Sequence, residues 1–259
     1  MTAVGSAQTI FPLLASLLVV IAWQIPFLMY ALAVPVAILV YLFFDETLAD
    51  SSSRPDGEAR SYHRRLVRQL RRPQLFALLV AYAGPAFLYF GFQAYVSVHI
   101  VRVIGGSPSL AGAVVAIFSI VYAGISTQAG RTTTRFGNRY RPLVGSNILM
   151  AAGLGIFAFA PSLPFSIAGA IVFGTGYGLT SSLYRSLLPE LSPRDLRGGI
   201  VSSAETLSRF GATISPIILG LVIGGLEQSI GFDNAVRWSI FVIASVIALL
   251  GNSLDCGIS

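Results

Sequence analysis

Lysine is absent from the chain: all 17 basic residues are arginine. Charged residues make up only 11% of the 259 positions. Soluble proteins carry about a quarter, so a soluble domain is excluded. The single cysteine, Cys256, lies in the last four residues, which excludes a disulfide framework and a cysteine-rich metal site. The two histidines, His63 and His99, are far apart, so no zinc site is expected. The start has no basic region and no clear cleavage site, so no signal peptide is expected. No nucleophile with an adjacent base and no phosphate loop is found, so neither an enzyme nor a bound cofactor is expected; an ion gradient is the expected energy source. Alternation in stretches of about ten residues, the mark of a membrane barrel, is missing too.

What is present is hydrocarbon. Hydrophobic residues make up 54% of the chain, in recurring runs of about 20 residues, each long enough to cross a bilayer. The reading is an all-α polytopic membrane protein with eight transmembrane helices. The spans are Val4 to Ala22, Phe27 to Phe44, Phe76 to Val98, Leu110 to Gln128, Leu143 to Ala160, Phe165 to Leu187, a seventh ending near Leu226, and Trp238 to Leu250. Glu227 to Arg237 reads as an outer loop. The longest polar stretch separates the second span from the third. Its first part, Ala49 to Gly57, is rich in Ser, Asp and Pro and reads as a linker. Its second part carries Arg60, Arg64, Arg65, Arg68, Arg71 and Arg72, with Tyr62, Leu66, Val67 and Leu70 at helical spacing. That pattern fits either a basic helix on the membrane surface or a solvated linker.

The arginines orient the spans. Gly130 to Pro142 holds Arg131, Arg135, Arg139 and Arg141 between two apolar runs, and short Arg-rich loops stay cytoplasmic. With this loop inside, fourteen arginines fall on the inner side, Arg185 among them. Arg102 and Arg237 fall outside, and Arg209 lies within the seventh span. Topology therefore accounts for the net charge of +6, and no nucleic-acid partner is expected. Both termini are expected in the cytoplasm, with the protein in the cell or inner membrane.

The same loop resembles the cytoplasmic-loop signature of the major facilitator superfamily, roughly Gly-x-x-x-Asp-Arg-x-Gly-Arg-Arg. Gly130, Arg135, Gly137 and Arg139 match in order and spacing, while Thr134 and Asn138 depart. Such departures resemble the weaker copy found in that family's second half. A short internal repeat points the same way: Gln8 to Leu14 parallels Ala212 to Ile218, with Thr, Ile and Pro coinciding. The resemblance implies that the eight spans correspond to the family's fifth to twelfth helices. It further implies a partial major facilitator fold with one complete six-helix half. Residues 1–45 would be the last two helices of the first half, 46–74 the cytoplasmic central loop, and 75–259 the second half. Phe11-Pro12 stands where the family's antiporter signature often has Gly-Pro. The look is similar to the drug-efflux and small-molecule exporter branches, and a missing four-helix segment or self-association is the expected partner besides the lipid bilayer and a small-molecule solute.

Polar residues within spans point to function. Tyr82, Tyr89 and Gln93 share one face of the third span, and Tyr177, Ser181 and Tyr184 one face of the sixth. Each alone could be a helix-packing hydrogen bond. Together they read as a solute cavity, and the resemblance implies the same two helices. Glu205 and Arg209, four apart, are expected to pair along one helix face, either as an interfacial ion pair without a mechanistic role or as a gating or coupling site. Gly174-Thr175-Gly176-Tyr177-Gly178 does not follow a strand, so it reads as close helix packing rather than a dinucleotide loop. The expected function is efflux-type secondary transport of an amphipathic or aromatic solute by an N-terminally truncated chain. The alternatives are sugar or metabolite uptake, or a non-transporting membrane subunit or gene remnant.

Overall fold

The computed structural model describes residues 31, 33–43, 56–128, 130 and 140–256. These are helical throughout, apart from short links. In chain order they form α1 (Ala33–Phe43), α2 (Asp56–Leu70), α3 (Pro73–Val98), α4 (Pro108–Ser126), α5 (Tyr140–Ala158), α6 (Leu163–Glu190), α7 (Arg197–Ile230) and α8 (Phe232–Cys256). Six of them are long and apolar enough to cross a membrane. The second expected span is represented by the short apolar α1, and the first lies outside the described residues.

Local chemistry sets the helix starts. Pro73 and Pro108 sit in the first turn of α3 and α4, where a missing N–H costs nothing and φ is already helical. Ser107 caps α4 by accepting the Leu110 amide at 3.4 Å. The far end of α3 runs on as a single π-helical turn, His99–Val103. The expected outer loop from Glu227 to Arg237 is not formed. Instead α7 runs to Ile230, and a single break at Gly231, with φ of 78°, starts α8. Only glycine takes that φ without strain.

Lipid tails supply no hydrophobic drive between helices, so shape and hydrogen bonds hold the bundle together. In α6, Gly176 lets the backbone of α5 come close: a Cβ there would lie 2.5 Å from the Met150 nitrogen. Gly174 does the same on the next face, where a Cβ would lie 2.9 Å from the Phe118 carbonyl oxygen of α4. The glycine run is thus the meeting point of three helices. Thr180 donates to Ser146 at 2.8 Å across the same α5/α6 contact.

A different device joins α3 to α7. The two run side by side in the same direction. Ser215 donates to the Phe87 carbonyl at 2.6 Å and the Tyr95 hydroxyl to the Pro216 carbonyl at 3.3 Å. Pro85 and Pro216 stand inside these two helices; each frees a carbonyl one turn back.

At 1.5 Å per residue the 34 residues of α7 reach about 50 Å, well beyond about 30 Å of hydrocarbon. Its first turn emerges at the Arg-rich end, and α2 packs there. Tyr62 and Leu66 close over Gly199, where a Cβ would lie 2.6 Å from the Tyr62 hydroxyl. Arg65 pairs with Asp195 at 3.2 Å. The basic stretch is therefore a helix, with its apolar face on the protein rather than on lipid.

Candidate functional site

The two polar faces read from the sequence meet. Tyr89 of α3 stacks on Tyr177 of α6 with ring centroids 5.1 Å apart, and on Phe118 of α4 at 5.3 Å. Tyr122 of α4 completes the group at 5.1 Å from Tyr177. Aromatic pairs at these distances add about 1 kcal/mol each beyond burial. Gln93 is half-buried and hydrogen-bonds Tyr89. Ser181 turns back on its own helix, donating to the Tyr177 carbonyl at 2.7 Å. Tyr89 and Tyr177 thus meet ring to ring.

Two helical turns nearer the Arg-rich end lies a charged node. The Tyr82 hydroxyl donates to Glu205 Oε1. Arg185 of α6 hydrogen-bonds the same hydroxyl. Tyr184 packs edge-on to the Tyr82 ring at 6.3 Å. A hydroxyl that donates to a carboxylate and accepts from a guanidinium satisfies both ions within a helical span, where a lone charge is expensive. The node draws on α3, α6 and α7.

This corrects two expectations. Glu205 forms no ion pair with Arg209; its partner is Tyr82, and Arg209 is exposed. Arg185, assigned to the inner loops, lies within α6, five residues before its end. Of the loop motif only Gly130 is described, and it is exposed; Arg135, Gly137 and Arg139 lie outside the described residues. Tyr122 and Arg185 were not singled out from the sequence. An arginine next to Tyr184, inside a span, was the available signal.

Two further features lie apart from the node. His99, on the π-helical turn, is fully buried against Phe157 with ring centroids at 4.6 Å. Between α3, α7 and α8 lies a cavity of about 350 Å³ lined by Val80, Gly84, Phe87, Ile243 and Ile247, with Asn147 as a polar lining group. Among the described residues no group of His, Cys, Asp and Glu could hold a metal ion.

Comparison with known proteins supplies the context. The family model described as Major Facilitator Superfamily matches residues 1–216 and 86–254. The chain is 26% identical over 236 residues to a cis,cis-muconate transport protein of Acinetobacter baylyi, covering 88% of this chain and 56% of that protein. It is 32% identical over 121 residues to a D-xylose transporter of Levilactobacillus brevis, covering 47% of this chain and 25% of that one. A galactose-proton symporter of Escherichia coli is 24% identical over 125 residues, 48% of this chain and 25% of the symporter. The chain thus spans about half of the first relative and a quarter of the other two. Among solved structures, a peptide transporter POT aligns with a TM-score of 0.59 at 21% identity, covering 71% of this chain and 37% of that one. That likeness speaks for the fold alone.

Proposed function

The chain belongs to the Major Facilitator Superfamily, and on that premise we propose that it forms part of a secondary transporter moving a small solute by alternating access. Residues 75–259 are then the complete second half, 1–45 the last two helices of the first half, and 46–74 the cytoplasmic link. Both termini lie in the cytoplasm, in the cell or inner membrane. The observation that carries this reading is the node of Tyr82, Arg185 and Glu205. Alternating access requires groups that are satisfied in one state and released in another. A hydroxyl shared between a carboxylate and a guanidinium from three helices has that property.

In this reading the solute passes between the faces bearing Tyr82, Tyr89 and Gln93 and those bearing Tyr177, Ser181 and Tyr184. Glu205 acts as the gating or coupling group, and Arg209 becomes its partner only when the node opens. Gly130, Arg135, Gly137 and Arg139 form the inner loop. The facing wall comes from further helices, supplied by a four-helix segment or by a second copy of the chain. Efflux of an amphipathic or aromatic solute fits the tyrosine-rich spans. Metabolite uptake stands as a second reading because the relatives are named for muconate, xylose and galactose with protons.

The test is solute counterflow in liposomes, with the purified chain alone and together with the missing helices. Counterflow by the assembled protein that falls at least tenfold in Tyr82→Phe is expected. Counterflow unaffected by Tyr82→Phe would remove the node from the transport path.

A further inference from the structure

We propose that the groove between the end of α2, the start of α3 and the end of α6 binds an anionic phospholipid, with its phosphate on Arg72 and its tails left in the bilayer. This goes beyond the transport reading and holds whether or not the chain carries a solute.

The groove lies where apolar span gives way to water. Arg72 is the last residue before the α3 span, and Leu191 is the first after α6. The lining is of two kinds. Gln69, Arg72 and Gln74 supply hydrogen-bond donors, and Leu75, Leu78 and Leu191 supply hydrocarbon. Along α3 the two kinds come in order: Arg72 precedes the helix, and Leu78 stands about 9 Å further along its axis. A phospholipid has the same order, phosphate in the interface and chain below it. Size excludes an enclosed solute. Sites that enclose a small molecule hold about 300 Å³ or more, and this groove holds about 170 Å³. It takes a headgroup and leaves the tails outside. Leu191 and Phe76, the neighbour of Leu75 in sequence, are exposed and give the tails apolar surface to follow.

Charge selects the headgroup. Residues 61–72 and 190–197 hold seven arginines and two acids. Arg64 and Arg68 lie one turn apart on α2, Arg71 and Arg72 follow its end, and all four are exposed. Of the acids, Asp195 is taken up by Arg65 at 3.2 Å, and Glu190 is itself engaged. The surplus positive charge attracts anionic headgroups, and each arginine near an anionic surface strengthens the attraction about fivefold. Within the groove the Arg72 guanidinium adds charge-assisted hydrogen bonds to phosphate oxygens. A zwitterionic headgroup brings a cation along with its phosphate, and the same field repels that cation.

The test is native mass spectrometry of the purified full chain released from a neutral detergent. The chain is titrated with phosphatidylglycerol and with phosphatidylcholine of the same tails. One phosphatidylglycerol should bind at least about fivefold more tightly than phosphatidylcholine. Arg72→Gln should weaken it about fivefold. Arg64→Gln removes the same charge from α2 outside the groove and should weaken it less. Leu191→Ser should also weaken it, which a loss of charge does not explain. All three positions are exposed, and an unchanged melting temperature checks that each variant is folded. Equal binding of the two lipids overturns the proposal. Equal losses in Arg72→Gln and Arg64→Gln would show a diffuse charge effect and overturn the site. Displacement of the lipid by glycerol phosphate at matching concentration would show a phosphate site indifferent to tails, and overturn a lipid as its occupant. A dimer that forms without lipid and is lost in Arg72→Gln would give the groove to a second copy of the chain instead.

Discussion

The helix pair α5/α6 and the helix pair α3/α8 solve the same problem in opposite ways. On the first seam backbone meets backbone: a Cβ at Gly176 would lie 2.5 Å from a main-chain nitrogen and 2.8 Å from a Cα of Met150. On the second, side chains hold the helices apart. A Cβ at Gly84 would meet a side chain rather than backbone, the Ile247 Cγ2 methyl at 2.9 Å, beside an opening of about 350 Å³. In lipid the association of helices comes from contact shape rather than from escape from water. A seam with matched small residues is therefore firm, and one without them stays loose. The firm seam ties α5 to α6, with α4 on its other face. The loose seam borders α3, whose other side is held to α7 by the Ser215 and Tyr95 hydrogen bonds and by the close approach at Gly91, where a Cβ would lie 2.5 Å from Leu219.

The largest expected effect tests the firm seam. Gly176→Ala places a methyl against fixed backbone and should destabilise by about 3 kcal/mol, the upper range for overpacking. Thermal unfolding in detergent reads this, and a melting point equal to wild type would mean the seam can open. Next comes the loose seam. Gly84→Ala meets the Ile247 Cγ2 methyl, which can shift only with its side chain toward the open cavity, and the gain in helix propensity offsets part of that, leaving a loss of about 1 kcal/mol. A loss as large as that of Gly176→Ala would erase the distinction between the two seams. The smallest effect belongs to the polar contact on the firm seam. A double-mutant cycle of Thr180→Val and Ser146→Ala should give a coupling of about 0.6 kcal/mol, typical of hydrogen bonds between membrane helices. A coupling of zero would assign the seam's firmness to the glycines alone.

Much of this architecture is legible in the residues. Low charge and repeated apolar runs require a helical membrane protein, because only helices and closed barrels satisfy the backbone in lipid. The six spans fall where the runs are, and their ends shift by a few residues because helices extend through the interface into water. The glycine run in α6 announces close packing by composition. The tyrosine faces of α3 and α6 follow from helical period alone.

The partners do not. Glu205 and Arg209 stand one turn apart, so any reading along the chain pairs them first. The folded protein sets Glu205 against Tyr82, which is 123 residues away, because α3 and α7 run alongside each other at that level. Arg185 looks like a loop residue by count, yet α6 runs on to Glu190 and keeps it inside. Tyr122 gives no signal in its own span and matters only because α4 lies against α6. Length, class and helical faces are local properties that periodicity and hydropathy determine by themselves. Which face meets which is a question of how six surfaces fit at once. Only the tertiary structure decided it, because each contact depends on the shapes of helices that the chain brings together from far apart.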